Sequence, residues 1–126
     1  AQYANMLRAS YAAIKNVKDT VKVVGGVTSS ADSDYIGSII DNGAGDYMDI
    51  ISVHPYVYNN LVNSKPERIV DDIAAVKNVL TAKNCNKPIW VTELNWPTND
   101  TWFGSTEEEQ AEYNNLFNDD DFWTME

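Results

Sequence analysis

The chain has 126 residues, 44% apolar and 11% aromatic, enough for one modest domain with its own core. Its formal net charge of −10 repels phosphate backbones, anionic lipid and polyanionic substrates, and is compatible with a neutral small molecule or polysaccharide. No run of 18 or more apolar residues occurs, so no membrane-spanning helix is expected; the first residues do not read as a signal peptide, and any leader is expected upstream.

Tyr3, Leu7, Ile14 and Val17 stand at helical spacing and predict an amphipathic helix over Tyr3 to Val17. It starts uncapped, as though the chain began inside an element. Val21-Lys22-Val23-Val24 then reads as a strand stopped by Gly25-Gly26. Asp32 to Asp41 carries Tyr35, Ile36, Ile39 and Ile40 at helical spacing and ends at Asn42-Gly43. Met48 to Pro55 is the second predicted strand, closed by its proline.

Ser64-Lys65-Pro66-Glu67 has the form of a helix start, with a Ser cap and proline in the first turn. Its helix keeps Ile69, Ile73, Val76 and Leu80 on one face. Pro88 to Leu94 is the third strand. Ser105-Thr106-Glu107-Glu108 predicts a capping box and a helix running to about Phe117. The last residues, Asp121 to Glu126, are a candidate fourth strand.

Helices alternating with strands predict an α/β fold with a parallel sheet and right-handed crossovers. Strands two and three are apolar at successive positions, as expected when both faces are buried. Two architectures fit: an open doubly wound sheet, or part of a closed barrel, since a whole (β/α)8 barrel takes roughly 200 residues or more. Gly25-Gly26 lacks the spacing of a dinucleotide fingerprint.

Cys85 is the one cysteine and has no partner for an internal disulfide. One histidine and one cysteine do not make a zinc cluster, and no Gly-x-Ser-x-Gly elbow is present. Asp46 and Asp49 lie close together without a calcium loop. Asn99-Asp100-Thr101 is an acceptor sequon of a length that arises by chance.

Polar residues gather at the C-terminal ends of the strands: Thr28-Ser29-Ser30, His54-Pro55-Tyr56 and Glu93-Leu94-Asn95-Trp96. Ligands bind at that edge of parallel α/β sheets. Side-chain alternation puts Ser52 and His54 on one face, and Glu93 with Val91 and Ile89 on another. From the residues alone, Glu93 is a catalytic carboxylate or a structural acid, and His54 a site residue or a satisfied core histidine. Trp96 and Trp102 are packing aromatics or platforms for a sugar ring.

Lys87-Pro88-Ile89-Trp90-Val91-Thr92-Glu93-Leu94-Asn95-Trp96-Pro97-Thr98 resembles the seventh strand of the large clan of retaining glycoside hydrolases with (β/α)8 barrels, β-xylosidase-like and cellulase-like. Asp49 to Tyr56 is similar to the sixth strand, and Tyr11 to Lys15 with Val23 to Gly26 to helix four and strand five. The resemblance covers residues 3 to about 113. It implies an incomplete TIM-barrel domain, the C-terminal half with strands five to eight, across residues 1–126.

The resemblance further implies that Glu93 is the nucleophile, that Tyr56 or Tyr58 contacts it, and that His54 holds the sugar or the acid/base partner. Trp96 would wall the adjoining subsite. Trp123, in the stretch similar to the end of strand eight, joins the candidate substrate-binding residues. It implies a carbohydrate substrate, no metal or organic cofactor, a secreted protein, and the missing half-barrel or a second chain as partner.

The clan's acid/base glutamate belongs to an Asn-Glu pair before helix four, and is expected upstream of Ala1. A retaining mechanism uses two carboxyl groups about 5 Å apart. The isolated chain is therefore expected to be inactive on natural substrates. The alternative is a non-catalytic carbohydrate-binding or self-assembling half-barrel. Asn95 stands where the clan has glycine, so the turn after strand three is expected to differ.

Overall fold

A computed structural model describes residues 1–56, 65–99 and 104–118. Its elements are α1 (Gln2–Val17), β1 (Val24–Gly25), α2 (Ser33–Asp41), β2 (Ile50–Val53), α3 (Arg68–Ala82), β3 (Ile89–Val91) and α4 (Glu107–Leu116), with a 3-10 turn at Gly45–Tyr47. The sheet runs β1-β2-β3 and is parallel throughout, with Val24 opposite Ile50 and Val53 opposite Val91. The predicted alternation of helices and parallel strands is present. Among the described residues the sheet has three strands and no closed barrel. The candidate fourth strand at Asp121 to Glu126 lies outside the described residues.

Local chemistry sets the helix ends. The Asp32 side chain accepts the Tyr35 amide at 2.8 Å and starts α2, while Gly43, with φ +81, turns the chain away after Asn42. The capping box of α4 lies one residue further on than predicted: Thr106 accepts from the Glu109 amide, and Glu109 accepts from the Thr106 amide. Helix α3 begins later than the Pro66 signal implied. Arg68 and Ile69 donate back to Lys65 and Pro66, three residues earlier, so the entry is a tight turn before the α-helix sets in. Ser64, its predicted cap, lies outside the described residues.

Strand β1 is shorter than Val21-Val24 suggested. The Val23 amide is spent on the Asp49 carboxylate at 2.8 Å and the Val21 carbonyl on Lys15, so the sheet starts at Val24. Gly26 then takes φ +80 and donates its amide to the Tyr3 hydroxyl at 2.7 Å; a Cβ there would press on Ile36.

Helices α1, α2 and α3 bury Leu7, Ile36, Ile39, Val76 and Leu80 against Ile51 and Val53 of β2. As expected for a strand covered on both faces, every residue of β2 is buried. Strand β3 is a correction. Trp90 is 51% exposed because β3 is the last strand of the described sheet, with β2 on one side only. Val24, on the opposite outer strand, is 36% exposed. A smaller cluster gathers Ile69 and Trp96 with Leu94, Tyr113 and Phe117, and seats α4.

Asp49 ties α1 to the entry of β2. It pairs with Lys15 at 2.8 Å, takes the Val23 amide, and accepts the Tyr11 hydroxyl at 3.3 Å. The Lys15 hydrogen bond, then that of Val23, holds the Asp49 carboxyl at about 2, against an ordinary 3.8. Lys15 is correspondingly raised. A depressed folded-state value stabilises the fold fully above the unfolded value, and the contribution disappears as pH falls through the folded one. Asp49→Asn is therefore expected to lower stability at neutral pH and to lose little more between pH 3.8 and 2, where the parent declines. Urea midpoints against pH measure this, and parallel curves for the two proteins would refute the clamp.

Candidate active site

Parallel register decides which side chains meet at the C-terminal edge. Val53 lies opposite Val91, and continuing that offset brings His54 beside Thr92. The Thr92 amide still donates to the Val53 carbonyl at 3.3 Å, so the two chains stay together past the last paired residues. Pro55 ends β2 because it has no amide to continue the ladder.

Four side chains converge on this edge. The Tyr56 hydroxyl donates to Glu93 Oε2 at 2.6 Å, a short charge-assisted bond. His54 Nδ1 lies 3.5 Å from the same oxygen, and its Nε2 is 2.9 Å from Thr92 Oγ1. Thr92 Oγ1 in turn meets Ser52 Oγ at 2.5 Å. The His54 and Tyr56 rings stand edge to face with centroids 6.2 Å apart.

Exposure grades across the group. Ser52 is fully buried, the His54 side chain is 14% exposed, and the Glu93 side chain 58%. The carboxylate thus faces solvent, Thr92 is exposed beside it, His54 and Tyr56 are partly buried, and Ser52 lies inside. Tyr56 and His54 both lie against Oε2, and Oε1 has no hydrogen-bond partner among the described residues. That is the layout of a positioned nucleophile or of an anchored anionic acceptor.

The structure brings Glu93, His54 and Tyr56 together at this edge. Trp96 is a correction. It is fully buried, stacked on Phe117 at 5.0 Å and tilted against Tyr113 at 5.2 Å. Its ring fills the gap between α3 and α4 and does not face the Glu93 edge. The turn that carries it uses no left-handed residue at Asn95. The Asn95 side chain instead accepts the Trp96 amide at 2.8 Å, and Gln110 Nε2 donates to the Trp96 carbonyl. Tyr58, Trp102 and Trp123 lie outside the described residues.

Ser52 and Thr92 were not singled out as site residues from sequence. Alternation did place Ser52 on the face of His54, but the matching position of Thr92 needs the strand register, which pairs Ser52 with Trp90. Among the described residues no group of three or more His, Cys, Asp or Glu is placed to hold a metal ion.

No protein-family model matches the chain, and no curated protein does. Among solved structures, the chain is similar to AbfB, a family 51 α-L-arabinofuranosidase from Bifidobacterium longum. The match has a TM-score of 0.55 and 17% sequence identity. It covers 93% of this chain and 26% of that one, so the chain spans about a quarter of its length. At that identity the likeness is one of fold.

Proposed function

We propose that the chain is the nucleophile-bearing part of a retaining glycosidase, acting on a carbohydrate outside the cell. The observation that carries this reading is the Glu93 carboxylate. It is half-exposed at the C-terminal edge of a parallel sheet, with Tyr56 and His54 both acting on one of its oxygens. The resemblance of Lys87 to Thr98 to a glycosidase strand and the arabinofuranosidase fold neighbour support it.

In the proposed reaction Glu93 Oε1 attacks the anomeric carbon as the bond to the leaving oxygen breaks, giving a glycosyl ester. Water then attacks that carbon, the ester C–O bond breaks, and the carboxylate is regenerated with net retention. Tyr56 and His54 hold Oε2 and spread the carboxylate's charge. The departing oxygen needs a proton from a second carboxyl group. The described partners of Glu93 are Tyr56 and His54, and neither is such an acid. The 126-residue chain alone is therefore expected to leave unactivated substrates uncut.

The test is an intact-mass spectrum after exposure to fluorinated glycosides with activated leaving groups, arabinofuranosides, xylosides and glucosides among them. Such leaving groups depart without an acid. One added glycosyl unit is expected, and the sugar that adds names the substrate class. No adduct from any member of the panel would overturn the reading. A second reading, a self-assembling or sugar-binding half-barrel, is favoured by the exposed Trp90 and Val24 on the outer strands. It would take over if no adduct formed and the chain sedimented as a dimer or bound sugars unchanged.

A further inference from the structure

We propose that Ser52 and Thr92 are positioning residues that lock His54 as the Nδ1–H tautomer, with its hydrogen aimed at Glu93. A neutral imidazole has a hydrogen on one nitrogen and a lone pair on the other, and the partner of one nitrogen fixes the role of the other. Here Nε2 meets the Thr92 hydroxyl at 2.9 Å and Nδ1 faces Glu93 Oε2 at 3.5 Å. The heavy atoms admit three arrangements, because Thr92 Oγ1 can pass a hydrogen on in either direction or accept from both neighbours.

Ser52 removes one of them, and the carboxylate facing Nδ1 removes another. Ser52 is fully buried, and its hydroxyl meets Thr92 Oγ1 at 2.5 Å as its described partner. If Ser52 donates to Thr92, the Thr92 hydrogen is directed to His54 Nε2, which accepts it. The ring hydrogen is then on Nδ1, facing the carboxylate. Every hydrogen in this chain has an acceptor.

In the reverse arrangement Nε2–H donates to Thr92 and Thr92 donates to Ser52. The Ser52 hydrogen is then buried without a described acceptor, and the Nδ1 lone pair opposes a carboxylate oxygen. Both features are unfavourable, the first because a buried donor has lost water without replacement, the second by like-charge repulsion. In the third, Ser52 and Nε2–H both donate to exposed Thr92, whose own hydrogen turns to solvent, and the Nδ1 lone pair still opposes the carboxylate; the first arrangement has neither defect.

The consequence for chemistry rests on the glycosidase reading. A locked Nδ1–H makes His54 a donor to Oε2 alongside Tyr56, so the histidine never competes with an incoming sugar as an acceptor. The carboxylate is held by one oxygen and left to attack with the other. Buried Ser52, acting through the exposed Thr92 hydroxyl, thereby sets the tautomer of His54.

His54 is the single histidine of the chain, so protein labelled with 15N-histidine shows one imidazole. Long-range 1H–15N correlations at about pH 9, above the ordinary imidazole range, read its tautomer directly. Wild type is expected to show a protonated Nδ1 and an unprotonated Nε2. A protonated Nε2, or the averaged pair seen for free histidine, would overturn the proposal. Thr92→Val removes the hydroxyl and keeps the shape, and is expected to shift the tautomer ratio about tenfold or more toward Nε2–H, as loss of one hydrogen bond predicts. Thr92→Ser is expected to keep the wild-type tautomer.

An unchanged tautomer in Thr92→Val would overturn the relay; should that variant not fold, wild type and Thr92→Ser still decide. No substrate enters the measurement. A chain that forms no glycosyl adduct yet shows the Nδ1–H tautomer sinks the glycosidase reading and leaves the relay standing. An adduct with Nε2–H does the reverse.

Discussion

Glu93→Gln is expected to abolish the glycosyl adduct and to slow release of activated leaving groups by at least about 10⁴-fold, the scale seen when a covalent nucleophile is removed. The substitution is nearly isosteric. Its amide oxygen still accepts from Tyr56, but neither amide atom forms a stable glycosyl ester. Because the Glu93 side chain is 58% exposed, folding stability is expected to change by no more than about 0.5 kcal/mol. A collapse of reactivity with an intact urea midpoint separates a chemical role from a structural one. Tyr56→Phe removes one of the two donors on Oε2 and is expected to weaken adduct formation by less. An adduct that persists in Glu93→Gln would place the nucleophile elsewhere and end the case for this residue.

Trp96→Ala is expected to destabilise the fold by about 3–5 kcal/mol, the usual cost of deleting a buried large aromatic. A domain of ordinary stability has about 5–15 kcal/mol, so a large share of it would be lost. The reason is geometric. Trp96 is fully buried, and its ring bridges Ile69 at the start of α3 to Tyr113 on α4 and Phe117 just past its end. Helix α4 exposes most of its own length and buries no residue completely, so Trp96 is the main apolar anchor it has.

Trp96→Phe is expected to cost less. It keeps a ring in the stack and removes an indole N–H that is buried without a partner among the described residues, a defect worth about 1–3 kcal/mol. Chemical denaturation of both variants measures this. A Trp96→Ala protein within about 0.5 kcal/mol of wild type would return Trp96 to the surface role first assigned to it.

Several elements were legible in the sequence because their signals are local. The spacing of Ile36 and Ile39, the Asp32 cap and Gly43 together bound α2 within one residue of its predicted start. The largely apolar stretch Met48 to Pro55 announced a strand buried on both faces, and β2, Ile50–Val53, is buried throughout. The same local pattern misled at β3, where Trp90 is half-exposed. A run of apolar residues reports what a strand is built to be covered by. It does not report how many neighbours the described chain supplies.

For the site, sequence alone determined which residue types stand at the ends of β2 and β3: His54 and Tyr56 on one, Thr92 and Glu93 on the other. That follows from chain order, since strand ends lie where apolar alternation stops. Tertiary structure decided who touches whom. Register, a property of two strands at once, joined Ser52 and His54 to Thr92 and brought Tyr56 and His54 to one oxygen of Glu93. The fate of Trp96 also lay beyond sequence, because the same indole serves a sugar face or a helix seam equally well. The seam claimed it because Ile69, Tyr113 and Phe117, distant along the chain, converge where the turn after β3 places its ring.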